Sequence, residues 1–270
     1  MSLNLTQNVP WMIYAGTYTF RACVGTYPGT LIDSDEFTFE KLPQGEVDFV
    51  ERELDSDRSK RILDIGCGTG ASTLLLARAL KARIAAVDLM PMFIDELRRN
   101  ATVKGVADRI TPRVTSMDAL PFDDESLDLI WSEGAVYNIG FERGVTEWRR
   151  FLKPGGILAV SEITWLTADR PAELEAFWDD AYPEIDTAAG KVDALERCGY
   201  TPIGYFVLPE HCWLENYYRP LQGGFGDFLE RHGHSVDAMA LVRAEEEEIA
   251  LYEEYKAFFS YGFYVARKHA

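Results

Sequence analysis

From residue 61 onward, short apolar runs alternate with segments whose apolar residues recur every three or four positions. Arg61-Ile62-Leu63-Asp64-Ile65 is compact, apolar and followed by glycines, which suits a buried parallel strand. Ser72 to Leu80 predicts a helix, and Arg83 to Asp88 a second strand that ends in an acid. Pro91 fits the first turn of a helix whose apolar stripe is Phe93, Ile94, Leu97 and Ala101, with Gly105 where the C-terminal cap belongs. Ile110 to Thr115 and Leu127 to Ser132 are the third and fourth strands. Val145, Trp148 and Leu152 follow at helical spacing, Lys153-Pro154-Gly155-Gly156 forces a turn, and Gly156 to Ile163 is a fifth strand.

Residues 171–199 predict one or two helices with Leu174, Phe177 and Trp178 on the apolar side and Gly199 as the stop. Tyr200 to Leu208 is a sixth strand, and Phe258 to Lys268 an apolar run that ends the chain. Between them, Asp237 to Lys256 carries four consecutive glutamates at 245–248 and reads as a solvated helical face. The first 45 residues differ in texture. They are aromatic and punctuated by Pro10, Gly16, Gly25 and Pro28-Gly29, with room for a short helix but no opening of a sheet. Strand and helix in alternation imply βαβ units, hence a doubly wound, mostly parallel α/β sheet covered on both faces. The domain organisation expected is an N-terminal lid over 1–45 and one large domain over 46–270, with 209–257 inserted as a helical cap.

Composition narrows the chemistry. The 270-residue chain carries 44 acidic residues against 27 Lys and Arg, a formal net charge of -17. Such a chain repels phosphate backbones and anionic lipid surfaces, so neither nucleic acid nor membrane is an expected partner. No run approaches the roughly 18 apolar residues of a membrane span, and no secretory leader is read at the N-terminus. Cys23, Cys67, Cys198 and Cys212 are scattered without a CxxC pair, so reduced thiols in a cytoplasmic protein are expected and a metal site is not.

The turn after the first strand, Gly66-Cys67-Gly68-Thr69-Gly70, leads into a helix. Glycines there let a ligand approach the backbone, and the helix N-terminus offers N–H groups. Asp88, 18 residues past Gly70, closes the second strand, where a carboxylate can accept two hydrogen bonds from a ribose diol. A dinucleotide and an adenosyl cofactor both carry that diol. Asp64 separates them: a pyrophosphate beside this acid is repelled, whereas an ammonium and a sulfonium are attracted. Met117 and Asp118, after the third strand, are placed to meet an adenine ring and its exocyclic amine.

The ordered set ILDIGCGTG, AAVDL, MDALPF and LKPGG, spread over residues 60–165, resembles the motifs of class I S-adenosylmethionine-dependent methyltransferases. Further segments, WSEGAVYNIGFERG, RPAE, FWDDAYPEID and PEHCW, resemble a group of prokaryotic methyltransferases of unassigned substrate. The resemblance implies a Rossmann-like seven-stranded sheet whose last strand, Phe258 to Lys268, is antiparallel. It implies that Asp64, Gly66 and Gly68 hold the aminoacyl end of S-adenosylmethionine, Asp88 the ribose, and Met117 with Asp118 the adenine, with Gly70 and Leu89 also among the cofactor-binding residues and S-adenosylhomocysteine as product.

Methyl transfer is an in-line displacement in which the protein mainly positions and desolvates the nucleophile. Strand C-terminal ends host such reactions in open α/β sheets. Glu133, Tyr137 and Asn138 after the fourth strand are therefore the candidate catalytic residues, Glu133 as a base or amine-orienting acid, with His211 as a second base. Glu133 and Glu142 share the nine-residue spacing of the acidic pair in protein arginine methyltransferases, but Glu142 reads equally as a first-turn helix acid. Tyr14, Tyr18 and Trp213 are candidate walls for a cationic amine, or core of the cap. The expected partner is a small molecule, bound by a monomer or homodimer. The competing readings are a non-catalytic adenosyl-binding protein, a protein methyltransferase and a nicotinamide-dependent oxidoreductase.

Overall fold

The computed structural model describes residues 46–54, 59–80 and 82–270 in full, and the backbone alone of 16–25, 31–41 and 44–45. The aromatic N-terminal stretch is neither irregular nor helical in its described part. Strands β1 (Gly16–Gly25) and β2 (Leu31–Lys41) pair as an antiparallel hairpin of their own, separate from the main sheet. Helix α1 (Gln44–Leu54) follows.

The main sheet contains β3 (Arg61–Ile65), β4 (Arg83–Asp88), β5 (Ile110–Val114), β6 (Leu127–Ser132), β7 (Leu152–Trp165), β9 (Tyr200–Val207) and β10 (Phe259–Lys268). They lie in the order β5-β4-β3-β6-β7-β10-β9, with a two-residue β8 (Asp186–Thr187) as an eighth strand alongside β7. Strands β3 to β7 are parallel, and β10 runs antiparallel to both neighbours, as expected. The chain moves outward through α2 (Ala71–Ala79), β4 and α3 (Pro91–Val103), then returns to the far side of β3 at β6. That reversal opens a crevice at the strand C-terminal ends, where open α/β sheets bind ligands.

Apolar alternation divides the core between two faces. On one, Ile62, Ile84, Trp131, Ile157 and Val265 pack with α1, α2 and α3. On the other, Leu63, Ile130, Leu158 and Tyr264 pack with α4 (Phe141–Trp148) and α6 (Ala188–Arg197). The turn expected at 153–156 lies inside β7. Leu152 pairs with Leu127 and Ile157 with Leu129, so the four intervening residues bulge out of the ladder.

Past Ser132, β7 and β10 continue beyond the end of β6, pairing Ile163–Trp165 with Phe259–Tyr261. This projection carries a third core built with α5 (Ala172–Ala181), α7 (Glu210–Trp213), the π-helical segment Leu214–Tyr218 that joins it to α8 (Arg219–Arg231), and α9 (Val236–Tyr255). Trp213 is buried in it, stacked between Tyr252 and Tyr261 at centroid distances of 4.4 and 5.5 Å, and so is core of the cap. Phe177, expected inside, is 40% exposed and rests edge-on against Trp178. The glutamate run is likewise divided by the helical repeat. Glu246 and Glu247 are exposed, Glu245 is buried, and Glu248 accepts a hydrogen bond from the Tyr218 hydroxyl at 3.0 Å. No described helix is long and apolar enough to cross a membrane, and Cys67, Cys198 and Cys212 are free thiols.

Glu162, on the projecting part of β7, is buried with no hydrogen bond to either carboxylate oxygen; the Tyr182 hydroxyl approaches it without reaching bonding geometry. Lys191 lies nearby, but its ammonium donates to the Glu184 carbonyl at 2.7 Å and sits 4.6 Å from the centre of the Phe141 ring. Burial pushes the Glu162 carboxyl up to about 7, against the opposing pull of Lys191. Between its ordinary value of 4.5 and about 7, the folded chain therefore holds a proton that the unfolded chain has released. That contribution is complete below 4.5 and is lost as pH rises through 7. Glu162→Gln should match the parent protein near pH 4.5 and exceed its stability at pH 8 by about 1–3 kcal/mol, as read by denaturant melts across that range.

Candidate active site

The glycine turn is held from three sides. The Gly66 and Cys67 amides donate to the Val87 carbonyl of β4 at 2.9 and 3.0 Å, and the Ser132 hydroxyl at the end of β6 donates to the Ile65 carbonyl at 3.1 Å. A Cβ on Gly66, whose φ is +73°, would lie 2.3 Å from the Ala135 Cβ, so no larger residue fits where the turns after β3 and β6 pass each other. Gly70, with φ +97°, starts α2, and a Cβ there would strike Leu97 at 2.2 Å. No described residue would lie within 4 Å of a Cβ on Gly68.

Asp88 accepts hydrogen bonds from the Gly68 amide at 3.0 Å and the Met90 amide at 2.9 Å, one at each oxygen. Each oxygen keeps a second lone pair, which leaves the carboxylate able to receive a diol. Burial raises its affinity for a proton, opposed by those backbone N–H groups. Leu89 beside it is exposed, an apolar surface next to a polar acceptor. Met117 is half-buried and its carbonyl is fixed by the Trp148 indole N–H at 3.0 Å, while Asp118 is exposed.

Asp64, on β3, is buried beside the start of α2. It is 1% exposed and accepts the Thr73 hydroxyl proton at 2.5 Å, bracing the turn against α2 from beneath. Burial, with Glu133 and Asp88 adding repulsion over the opposing Thr73 bond, pushes its carboxyl up to about 7.

Glu133 follows β6 and is 5% exposed. Its Oε2 accepts from the Ser72 hydroxyl at 2.7 Å and from the Trp131 indole N–H at 3.3 Å. It faces a small cavity whose other walls are Glu46, Trp131, Ser161, Tyr261 and Phe263, with Leu208 at the side. The other catalytic candidates do not line this cavity. Tyr137 packs edge-on to Tyr182 at 6.4 Å, the exposed Asn138 amide donates to the Ala135 carbonyl at 2.9 Å, and His211 is exposed on α7 with Nε2 3.6 Å from the Cys212 Sγ. Glu142 is a surface acid 3.2 Å from Arg197, so it forms no pair with the buried Glu133. Trp11 and Tyr14 lie outside the described residues, as does the side chain of Tyr18.

The family model described as a methyltransferase domain matches residues 62–156, the stretch from β3 to the bulge in β7 that contains the glycine turn, Asp88, Met117 and Glu133. Residues 62–156 thus form a methyltransferase domain. Methyltransferase GfsG of Streptomyces halstedii is 30% identical over 174 residues, covering 58% of this chain and 62% of that protein. Malonyl-[acyl-carrier protein] O-methyltransferase of Erwinia pyrifoliae is 35% identical over 152 residues, covering 52% of this chain and 54% of that protein. The matches thus span less than two thirds of either relative. A methyltransferase from Geobacter sulfurreducens, solved with S-adenosyl-L-homocysteine, superposes with a TM-score of 0.73 at 18% identity, covering 83% of this chain and 91% of that one, and so shares the fold.

The methyltransferase domain's own residues fit the adenosyl cofactor. The open face of Gly68, the spare lone pairs of Asp88 and the exposed Leu89 adjoin one another at the crevice. Sequence reasoning missed Glu46, Ser72, Thr73 and Ser161. Ser72 and Thr73 stand directly after the glycine turn, where their spacing was a usable signal. Glu46 carried none, because a first-turn acid is ordinary in any helix. Asp88→Ala should keep the fold and weaken S-adenosylhomocysteine binding by roughly ten- to a hundredfold, measured by calorimetry, since charged hydrogen bonds contribute about 1.5–3 kcal/mol.

Proposed function

We propose that this protein transfers the methyl group of S-adenosylmethionine to a small-molecule nucleophile. The observation that carries the reading is the alignment of sites along the strand ends. Asp88 on β4, the glycine turn on β3 and Glu133 on β6 occupy three adjacent strands, and the cavity at Glu133 opens next along, toward β7 and β10. An extended ligand with its ribose at Asp88 directs its other end toward that cavity. Bound there, S-adenosylmethionine supplies a methyl carbon on a positively charged sulfur, which is intrinsically ready for displacement.

The chain's residues then have to bind and orient an acceptor and keep water away. Glu133 is suited to orient it, because Ser72 and Trp131 hold one carboxylate oxygen in place. The cavity is small and enclosed by aromatic rings, which favours a small acceptor over a folded protein surface. The net charge of -17 supports the same choice against nucleic acid.

Calorimetry with S-adenosylmethionine, S-adenosylhomocysteine and NAD should give binding of the adenosyl pair and none of NAD; binding of NAD alone would overturn the proposal. In Glu133→Gln the retained side-chain oxygen still accepts from Ser72 and Trp131. That variant should bind S-adenosylhomocysteine within about twofold of the parent while losing turnover by roughly 10²–10⁴-fold if Glu133 moves the proton. Full activity would remove Glu133 from the chemistry.

A further inference from the structure

Trp148 is among the largest side chains of the core, buried on α4 against the sheet face that carries Leu63, Ile130 and Leu158. An indole N–H can only donate, and once buried it needs an acceptor. The acceptor lies on neither a strand nor a helix. It is the Met117 carbonyl at 3.0 Å, in the turn that follows β5. The Ala119 amide donates to the Ser116 carbonyl at 3.2 Å and closes that turn, with Met117 and Asp118 at its two middle positions. Two further contacts tie the turn to the crevice. The Thr115 amide donates to the Asp88 carbonyl at 2.9 Å, and the Met117 methyl group would lie 3.9 Å from a Cβ on Gly66. The adenine expected at Met117 and Asp118 therefore meets a turn whose middle carbonyl is held from behind by α4.

That bond acts on the peptide between Met117 and Asp118. A trans peptide is planar, and its C=O and N–H point to opposite edges. With the carbonyl drawn to the indole, the Asp118 N–H is turned away from α4, and no described backbone carbonyl accepts from it. Asp118 is exposed, whereas Leu120 just beyond it is buried. One residue thus offers a donor in its amide and an acceptor in its carboxylate. Adenine is complementary to that pair, because its N1 accepts and its exocyclic amine donates. Hypoxanthine reverses both groups, with a donating N1–H and an accepting carbonyl.

We propose that Trp148 is a positioning residue that makes the cofactor site selective for adenine. It touches no ligand. It holds the Met117–Asp118 peptide in the one orientation that sends the Asp118 N–H to N1 while the Asp118 carboxylate takes the exocyclic amine. Without the indole N–H the peptide is free to rotate, and the site loses its preference for one pattern of donor and acceptor over the other. The inference rests on the adenosyl-cofactor reading above and adds the residue that orients the base contact.

The test uses the full chain with two probes, S-adenosylhomocysteine and S-inosylhomocysteine, and reads affinity by calorimetry. The parent protein should bind the adenosyl compound about tenfold more tightly or better. Trp148→Phe keeps an aromatic ring in the core and removes the N–H. It should bind the adenosyl compound roughly three- to tenfold more weakly, the loss expected for one hydrogen bond, while its affinity for the inosyl compound stays within about twofold. A merely structural role would weaken both alike. The proposal is wrong if the parent binds the two probes equally, or if Trp148→Phe leaves their ratio unchanged. Should that variant fail to fold, the Trp148 indole N–H of the parent decides by NMR. Its resonance should exchange slowly with D2O and shift on addition of S-adenosylhomocysteine but not of homocysteine; fast exchange or an unmoved resonance overturns the assignment. Failure of the cofactor reading looks different, because S-adenosylhomocysteine would then not bind the parent protein at all.

Discussion

Two turns pass within contact distance at the centre of this molecule, the one after β3 and the one after β6, and the organisation of the site depends on that approach. Gly66 permits it, because any side chain there would overlap Ala135. Once the turns touch, the Ser132 hydroxyl reaches the Ile65 carbonyl and the Gly66 and Cys67 amides reach Val87, so hydrogen bonds tie the ends of β3, β4 and β6 together. The open face at Gly68, the carboxylate of Asp88 and the carboxylate of Glu133 are thereby held in a fixed relation across three strands. Precision of this sort is what positioning catalysis requires, since small misplacements at the reacting atoms are expensive in rate.

A second consequence follows from the unequal lengths of neighbouring strands. Because β7 and β10 outrun β6, the cap packs on a two-stranded projection and not on loops. The cap core is dominated by rings, with Trp213 stacked between Tyr252 and Tyr261 and bonded through its indole N–H to the Ser260 hydroxyl at 3.0 Å. Stacked rings of this size bury a large apolar area in the wall. The wall closes one side of the cavity, and α1 closes another with Glu46.

The same arrangement explains the number of buried acids in a soluble-looking composition. Asp64, Glu162 and Glu245 are all buried and all pushed up to about 7 by burial first of all. Asp64 has Thr73, whereas Glu162 lacks a hydrogen bond at either oxygen and Glu245 lacks one at Oε2. A protein that tolerates such groups forgoes stability near neutral pH.

By itself the sequence determined the alternation of strands and helices from residue 61 onward and the acids at the ends of β4 and β6, because hydrophobic periodicity and glycine placement act locally along the chain, and its family resemblance implied the antiparallel last strand. Its ordered motifs over residues 60–165 carried a resemblance to methyltransferases, and the family model matches residues 62–156 of the same stretch. Tertiary structure alone decided which acids meet. Glu46 and Glu133 are far apart in the chain and share a cavity, while Glu142, nine residues from Glu133, faces Arg197 at the surface. It also separated Glu245 from its exposed neighbours, buried Trp213 in the cap and left His211 outside the cavity. The physical reason is common to all of these. Burial and partnership are properties of the packed faces that a helix or strand end meets, and a residue's local sequence carries no record of what will be packed against it.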